Sequence, residues 1–143
     1  MFSAQYKSIT DLTGLELCTN LERLYLYNNS ISDISALAGL TNLRELVLDY
    51  NNEISEISAL AELNELQRLH LDANGISDIS ALAELNELQR LHLDANSISD
   101  ISALAELTKL EHVSLTGNQL NSTAYATHIP ALQGKGISLQ YDE

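Results

Sequence analysis

The chain has 143 residues, with 7 Lys and Arg against 20 Asp and Glu, and a formal net charge of -13 at pH 7. This length predicts a single domain. Nucleic acids and anionic membrane surfaces attract proteins through Lys and Arg, so the charge argues against both as partners. No apolar run is long enough to span a membrane, and the opening segment MFSAQYKS lacks the apolar centre of a signal peptide. Cys18 is the only cysteine, which excludes an internal disulfide.

Residues 1–20 are predicted to form a degenerate first coil of a repeated structure. The segment ITDLTGLELCTN aligns with the second half of later repeats, which places Phe2 and Ala4 at strand positions. In this alignment Cys18 occupies a leucine position, so we expect its thiol to be buried. The strand edge of this coil has little cover, and we therefore expect self-association through Phe2 and Tyr6 as one property of the chain.

A 22-residue repeat follows. The segment LQRLHLDANGISDISALAELNE at 66–87 recurs at 88–109 with three substitutions. Looser copies occupy 21–42 and 43–65, and the second of these contains one additional residue, Asn52. A fixed period of this size predicts a solenoid in which each repeat forms one coil and contacts only its neighbours.

Each repeat follows the pattern L-x-x-L-x-L-x-x-N-x-I-x-x-I-x-x-L-x-x-L. The first half alternates as a short strand does, and the apolar residues at every third position of the second half favour 3₁₀-like turns. The predicted fold class is therefore α/β: a curved parallel β-sheet lines the concave face, and 3₁₀ or irregular turns form the convex face. An asparagine recurs at one position, where its amide is expected to satisfy free backbone groups: Asn29, Asn51, Asn74, Asn96 and Asn118.

Residues 110–143 are predicted to contribute the last strand and a C-terminal cap. Asn121 or Ser122 is placed to begin a short helix, which Gly134 or Gly136 would end. The closing segment ISLQY alternates apolar and polar residues, which predicts a final strand that covers the last edge of the sheet.

Strand alternation sends three residues of each repeat to the concave face, where they should form columns. The columns are Arg23, Glu45, Arg68, Arg90 and His112; Tyr25, Val47, His70, His92 and Ser114; and Tyr27, Asp49, Asp72, Asp94 and Thr116. Aromatic residues and arginine supply most binding hot spots. We therefore select as candidate ligand-binding residues Tyr25, Tyr27, Asp49, Tyr50, Arg68, His70, Asp72, Arg90, His92 and Asp94.

Two further interpretations of the columns remain open. His70 and His92 beside Asp72 and Asp94 combine imidazole with carboxylate, the ligands of Zn²⁺ and similar ions, so a cation site is one of them. The other is duplication, because nearly identical repeats copy every residue whether or not it has a role. We expect no catalytic residue and no cofactor, since Ser114 lies near His92 on an open sheet that offers no oxyanion hole.

The repeat pattern, with ISDISALAGLTNL at 31–43 and GNQLNSTAYATHIPALQGKGISLQYDE at 117–143, resembles the leucine-rich repeats of the short 22-residue class found in bacterial internalins. The resemblance implies one leucine-rich repeat domain over 1–143. It also implies a non-enzymatic module that binds a protein or peptide through the concave sheet, at the cell surface or secreted. A helical N-terminal cap like that of internalins is not found in the sequence. The alternatives are a metal-dependent adhesin and a structural or engineered scaffold without a dedicated ligand.

Overall fold

The computed structural model describes residues 1–142, which form a solenoid with one parallel seven-stranded sheet along its side. The strands are β1 (Phe2–Ser3), β2 (Arg23–Tyr25), β3 (Glu45–Val47), β4 (Arg68–His70), β5 (Arg90–His92), β6 (His112–Ser114) and β7 (Ser138–Gln140). Their order in the sheet is their order in the chain, as it must be when each coil stacks on the one before it. The predicted solenoid is therefore confirmed.

The inward side of each strand contributes leucine to a continuous core. Leu24, Leu46, Leu69 and Leu91 pair in register along β2 to β5, and each is 0% exposed. Leucine and isoleucine from the returning halves of the repeats pack against them. Because each apolar side chain is buried between neighbouring coils, each of them stabilises the solenoid by about 1.5–3 kcal/mol before the entropy of ordering is subtracted.

The convex side consists of short 3₁₀ turns, as predicted. They span Leu15–Leu17, Ser35–Leu37, Ser58–Leu60, Ser80–Leu82 and Ser102–Leu104. Each begins next to a carboxylate that accepts a backbone hydrogen bond; the Oδ1 atom of Asp33, for example, accepts the N–H of Ser35 at 2.8 Å. Asp11, Glu56, Asp78 and Asp100 make the same contact. The acidic residues of this face therefore have a local structural role as well as a solvating one.

The recurring asparagines join neighbouring coils, as expected. The Nδ2 group of Asn51 donates to the carbonyls of Leu48 and Leu26, and its Oδ1 accepts the N–H of Ile31. Asn96 and Asn118 repeat this pattern two coils and three coils later. Each amide thus satisfies backbone groups of two coils at once.

One coil interface departs from that pattern. The Oδ1 atom of Asn74 is buried and has no hydrogen-bond partner within residues 1–142. Its expected donor is the N–H of Ile54, which follows the additional residue Asn52. Asn52 itself has a φ of 64°, in the left-handed region. The insertion therefore costs one side-chain hydrogen bond between the second and third full coils.

The chain leaves each strand through a residue in the left-handed conformation. Asn28, Tyr50, Ala73 and Ala95 have φ values between 51° and 56°, and the equivalent Gly117 has a φ of 74°. A side chain at such a position is strained relative to glycine. The turn geometry of this solenoid therefore imposes a backbone cost in every repeat except the last.

The C-terminal cap contains a π-helical turn, Ala124–His128, which continues into α1 (Ile129–Gly134). The Oδ1 atom of Asn121 accepts the N–H of Ala124 at 2.8 Å, so Asn121 rather than Ser122 begins this segment. β7 then pairs with β6, as the alternation of its sequence predicted. Within the described chain no helix has both the length and the apolar character needed to cross a bilayer.

The N-terminal coil is less well covered. The thiol of Cys18 is exposed, so the expectation that it is buried was wrong. The equivalent leucines of later coils, such as Leu85, are buried between two coils, whereas Cys18 has a coil on one side alone. Phe2, Tyr6 and Leu17 are also exposed, by 47%, 68% and 80%.

Candidate functional site

The outward residues of the sheet lie in columns, on what we call the concave face. Arg23 pairs with Glu45, Glu45 with Arg68, Arg68 with Arg90, and Arg90 with His112, which forms the first column. The second column, from Tyr25 through Val47, His70 and His92 to Ser114, is in the same register. The ten candidate residues therefore lie on one face, on strands β2 to β5 or directly after them.

The charges of the first column are unevenly matched. The Oε2 atom of Glu45 lies 3.8 Å from Arg23 Nε and 3.8 Å from Arg68 Nη1, so one carboxylate serves two guanidinium groups. Partial burial, followed by a hydrogen bond that the hydroxyl donates to the Glu45 carboxylate, raises the pKa of Tyr25. Arg90 has no carboxylate within 4.0 Å among the residues that the structure describes.

Three histidines follow one another beside these arginines. The rings of His70 and His92 are stacked, with centroids 4.2 Å apart and planes at 14°. His112 lies against His92 at 5.2 Å and 47°. Burial, followed by the proximity of His70 and His112, lowers the pKa of His92. The Nδ1 atom of His70 is 3.6 Å from Asp49 Oδ2, whereas His92 has no carboxylate within 4.0 Å in the described chain. The two histidines therefore differ in their access to a carboxylate.

The aspartates of the third column bind backbone groups of the next coil. The Oδ1 atom of Asp49 accepts the N–H of Asp72 at 2.8 Å, and Oδ1 of Asp72 accepts that of Asp94 at 2.7 Å. Asp94 accepts the N–H of Thr116 at 2.7 Å and also the hydroxyl of Ser114. This structural role was not predicted from the sequence, although the recurrence of Asp directly after the last inward leucine of each strand is a signal for it.

These stacked carboxylates also repel one another. Burial raises the pKa of Asp72 to about 6, and the charges of Asp49 and Asp94 act in the same direction, against the hydrogen bond from Asp94. Like charges at strand spacing are unfavourable, so Asp72 holds its proton more readily than an ordinary aspartate does.

The tyrosines occupy the other end of the face. The ring of Tyr27 packs edge-to-face on Tyr6, with centroids 5.3 Å apart and planes at 84°. Tyr25 is half-buried beside Glu45. Tyr50 follows β3, is 53% exposed and lies at the rim of the sheet. The candidate set therefore divides into an aromatic end at β2 and β3 and an arginine–histidine end at β4 and β5.

No metal centre is formed by the candidate ligands. Within residues 1–142 there is no group of three or more His, Cys, Asp or Glu side chains arranged to hold a metal ion. His70 and Asp49 make a pair, while one oxygen each of Asp72 and Asp94 is already bound to the backbone. The pockets on the sheet face are open, like the one bordered by Arg23, Glu45 and Arg68.

Comparisons with known proteins agree with this architecture. A model described as "Leucine Rich repeats (2 copies)" matches residues 19–62 and 41–84, and a "Leucine rich repeat" model matches 64–120. The chain therefore belongs to the leucine-rich repeat family. Comparison with curated protein sequences gives no match.

Two solved structures from Listeria monocytogenes are similar along almost the whole chain. Internalin inlF is 34% identical with a TM-score of 0.87, and internalin C2 is 35% identical with a TM-score of 0.87. Both alignments cover 99% of this chain, which spans 42% of the first protein and 60% of the second. Leucine-rich repeat proteins generally bind other proteins, and their fold is generally a non-enzymatic binding scaffold. The chain is thus an internalin-like protein-interaction repeat module.

Proposed function

We propose that this module binds a protein or peptide segment through its concave face, and that it acts by binding alone. The observation that carries this proposal is the common register of Arg68 with Arg90 and of His70 with His92. It gives one continuous surface that carries guanidinium and imidazole groups, with tyrosines at one end. Aromatic and arginine side chains on a preorganised sheet are what a tight interface requires.

The candidate residues contribute in two ways. Tyr27, Tyr50, Arg68, His70, Arg90 and His92, together with Tyr25, keep side-chain surface free for a partner. The carboxylates of Asp49, Asp72 and Asp94 each use one oxygen on the backbone, which leaves the other for a ligand donor. Substitution of these aspartates by alanine would disturb the sheet, so asparagine is the appropriate substitution at those positions.

The test is selection of peptides from a random library on the immobilised protein, followed by calorimetric titration of the best peptides. Tyr27→Ala and His70→Ala should each weaken their binding about tenfold, since interface anchors are worth more than 1 kcal/mol. Tyr125→Ala and His128→Ala, which alter the same residue types in the C-terminal cap, serve as matched controls. Unchanged affinity in the two concave variants, with unchanged circular dichroism, would contradict the proposal.

A cation-dependent surface on the histidine–aspartate columns has less support, because two of its four candidate carboxylate oxygens are bound to backbone N–H groups. Titration of the protein with Zn²⁺ and with Ca²⁺ tests it; heat that disappears in His70→Ala would favour this alternative. A scaffold without any ligand predicts that neither the peptides nor the ions bind.

Self-association through the N-terminal coil is a separate proposal. β1 has no neighbour on its outer side within the described chain, and Phe2, Tyr6 and Leu17 are exposed beside it. Unpaired strand edges and exposed apolar side chains favour pairing with a second copy. Light scattering at increasing concentration should detect a dimer that Phe2→Lys weakens. A monomer at every concentration would refute this proposal.

A further inference from the structure

The inference concerns the arginine–histidine end of the concave face, and it rests on the proposed function. We call the residues Arg68, His70, Arg90, His92 and His112 the Arg–His patch. It is formed by β4, β5 and the first residue of β6. Arginine and histidine side chains are concentrated here in a chain whose net charge is -13.

Within the first two columns arginine outnumbers carboxylate, with Arg23, Arg68 and Arg90 against Glu45. Glu45 is the carboxylate nearest to Arg68 in the first column, and it also serves Arg23. Beyond Arg68 the first column continues as Arg90, His112 and Ser138. The second column runs in parallel as His70, His92, Ser114 and Gln140, and neither of these stretches contains an acidic residue. The third column places acidic side chains beside these residues: Asp49 Oδ2 lies 3.6 Å from His70 Nδ1, and Asp72 and Asp94 accept backbone N–H groups.

The strand register places Arg68 and Arg90 side by side, in an arrangement suited to binding an anion. Paired residues of adjacent strands lie about 5 Å apart, so the guanidinium groups of Arg68 and Arg90 repel one another in the free protein. A carboxylate between them replaces that repulsion by two charge-assisted, bidentate hydrogen-bonded contacts. An extended peptide with acidic side chains at alternate positions presents one carboxylate to Arg68 and Arg90 and the next to His112.

The histidines make the same surface sensitive to acid. The charged and titratable groups that face His92 come from four coils. Its own coil contributes Arg90 and Asp94, and the following coil contributes His112. The preceding coil contributes Arg68, His70 and Asp72, and the coil before that contributes Asp49. Burial lowers the pKa of His92 in the free protein, and the neighbouring His70 and His112 lower it further. The negative charge of a carboxylate bound nearby favours the protonated imidazole, so binding takes up a proton.

Asp72 reinforces this response. Burial and its acidic neighbours raise its pKa to about 6, so it loses its negative charge in the range in which histidine gains a positive one. Both changes make the surface more attractive to an anion. The acid residues of the convex turns lie on the other side of the coil and are screened, because the Debye length is about 8 Å at physiological salt.

We propose that the Arg–His patch binds an extended acidic peptide segment through Arg68, Arg90 and His112, and that this binding tightens as the pH falls from about 7.5 to about 5.5. The partner is identified by its chemistry: a protein segment rich in Asp and Glu and poor in Lys and Arg.

The probe is a fluorescein-labelled octapeptide of alternating Glu and Ser, compared with the same peptide carrying Gln for Glu, in physiological salt. The acidic peptide should bind more tightly than the neutral one, and its affinity should rise about fivefold between the two pH values. Arg90→Gln should weaken binding about tenfold, because a charge-assisted contact is lost. Arg44→Gln is the matched control, since Arg44 lies outside the columns and pairs with Glu65 at 4.0 Å.

The pH response has its own variant. His70→Gln combined with His92→Gln should lose most of the gain in affinity for the acidic peptide that wild type shows at the lower pH. Equal affinity for the acidic and neutral peptides would overturn the proposed acidic ligand. Equal binding by Arg90→Gln and wild type would overturn the role of the arginines, and an undiminished acid response in the histidine variant would overturn the role of the histidines. Library-selected peptides that still require Tyr27 would then show that the concave face binds a partner of another kind. Failure of both peptide sets would overturn the broader function as well.

Discussion

The carboxylate of Asp72 accepts the backbone N–H of Asp94 at 2.7 Å, which joins two coils at the end of their strands. The same carboxylate lies between the charges of Asp49 and Asp94 and is half-buried. It therefore stabilises the sheet as a hydrogen-bond acceptor and destabilises it as a charge. These two effects can be separated by substitution.

Asp72→Asn should raise the free energy of unfolding by about 1 kcal/mol at neutral pH, because a carboxamide oxygen keeps the hydrogen bond without a charge and solvent reduces the full benefit. Asp72→Ala should lower it by about 1–2 kcal/mol, since the N–H of Asp94 then has no acceptor. Urea unfolding at equilibrium measures both variants. If the asparagine variant is no more stable than the alanine variant, the hydrogen bond does not have this role.

The benefit of Asp72→Asn should depend on pH. The raised pKa of about 6 means that the folded state binds more protons at this site than the unfolded state between about pH 4 and about pH 6. The contribution of Asp72 to stability is therefore lost as the pH rises through that window. The depressed pKa of His92 acts oppositely, so wild type should be compared with the asparagine variant rather than considered alone. A stability difference that does not grow between these pH values would contradict the assignment.

Deletion of Asn52 should stabilise the protein. It restores the 22-residue period, brings the N–H of Ile54 to the unpartnered Oδ1 of Asn74, and removes a residue with a φ of 64°. One recovered buried hydrogen bond is worth about 1 kcal/mol. Thermal unfolding measures the change, and Asn52→Gly is the control, since it accommodates the left-handed backbone but keeps the additional residue. A lower melting temperature for the Asn52 deletion would show that the insertion is accommodated better than the unpartnered oxygen suggests.

Ala95→Gly should also stabilise the protein, by up to about 1 kcal/mol, because Ala95 has a φ of 54° and glycine adopts that conformation without a steric penalty. Ala81→Gly is the matched control, since Ala81 lies in a 3₁₀ turn with ordinary backbone angles and should lose stability on substitution. Chemical denaturation compares the two. A loss of stability in both variants would mean that the entropy of glycine in the unfolded chain outweighs the relief of strain.

The fold could be predicted from the sequence because each repeat contains the residue pattern that specifies its strand, its turn and its coil contacts. The alternation around Leu69, the triplet spacing after Ile76 and the recurring asparagine each specify a local structure that the neighbouring coil then completes. The columns followed from the same alternation. Burial at the ends did not follow, because the alignment compares Cys18 with residues that have a coil on both sides.

The hydrogen bonds of the aspartate column were also beyond the sequence argument. A carboxylate after a strand can face solvent, a ligand or a backbone N–H, and the amino-acid sequence is the same in all three cases. Asp49, Asp72 and Asp94 were therefore selected for binding alone, whereas their geometry gives them a structural role as well. The surplus charge of Arg90 likewise depended on which side chains Glu45 contacts.

The interface between the second and third full coils affects the order in which the coils unfold. In a linear array, neighbouring coils unfold together only while the coupling between them exceeds the instability of either coil alone. With the Asn74 oxygen unpartnered, that coupling lacks at Ile54 a hydrogen bond that the equivalent Ile31, Ile76 and Ile98 form. Under a pulling force the array should divide there first, so that two blocks, of unequal length, yield in separate steps along an extension trace.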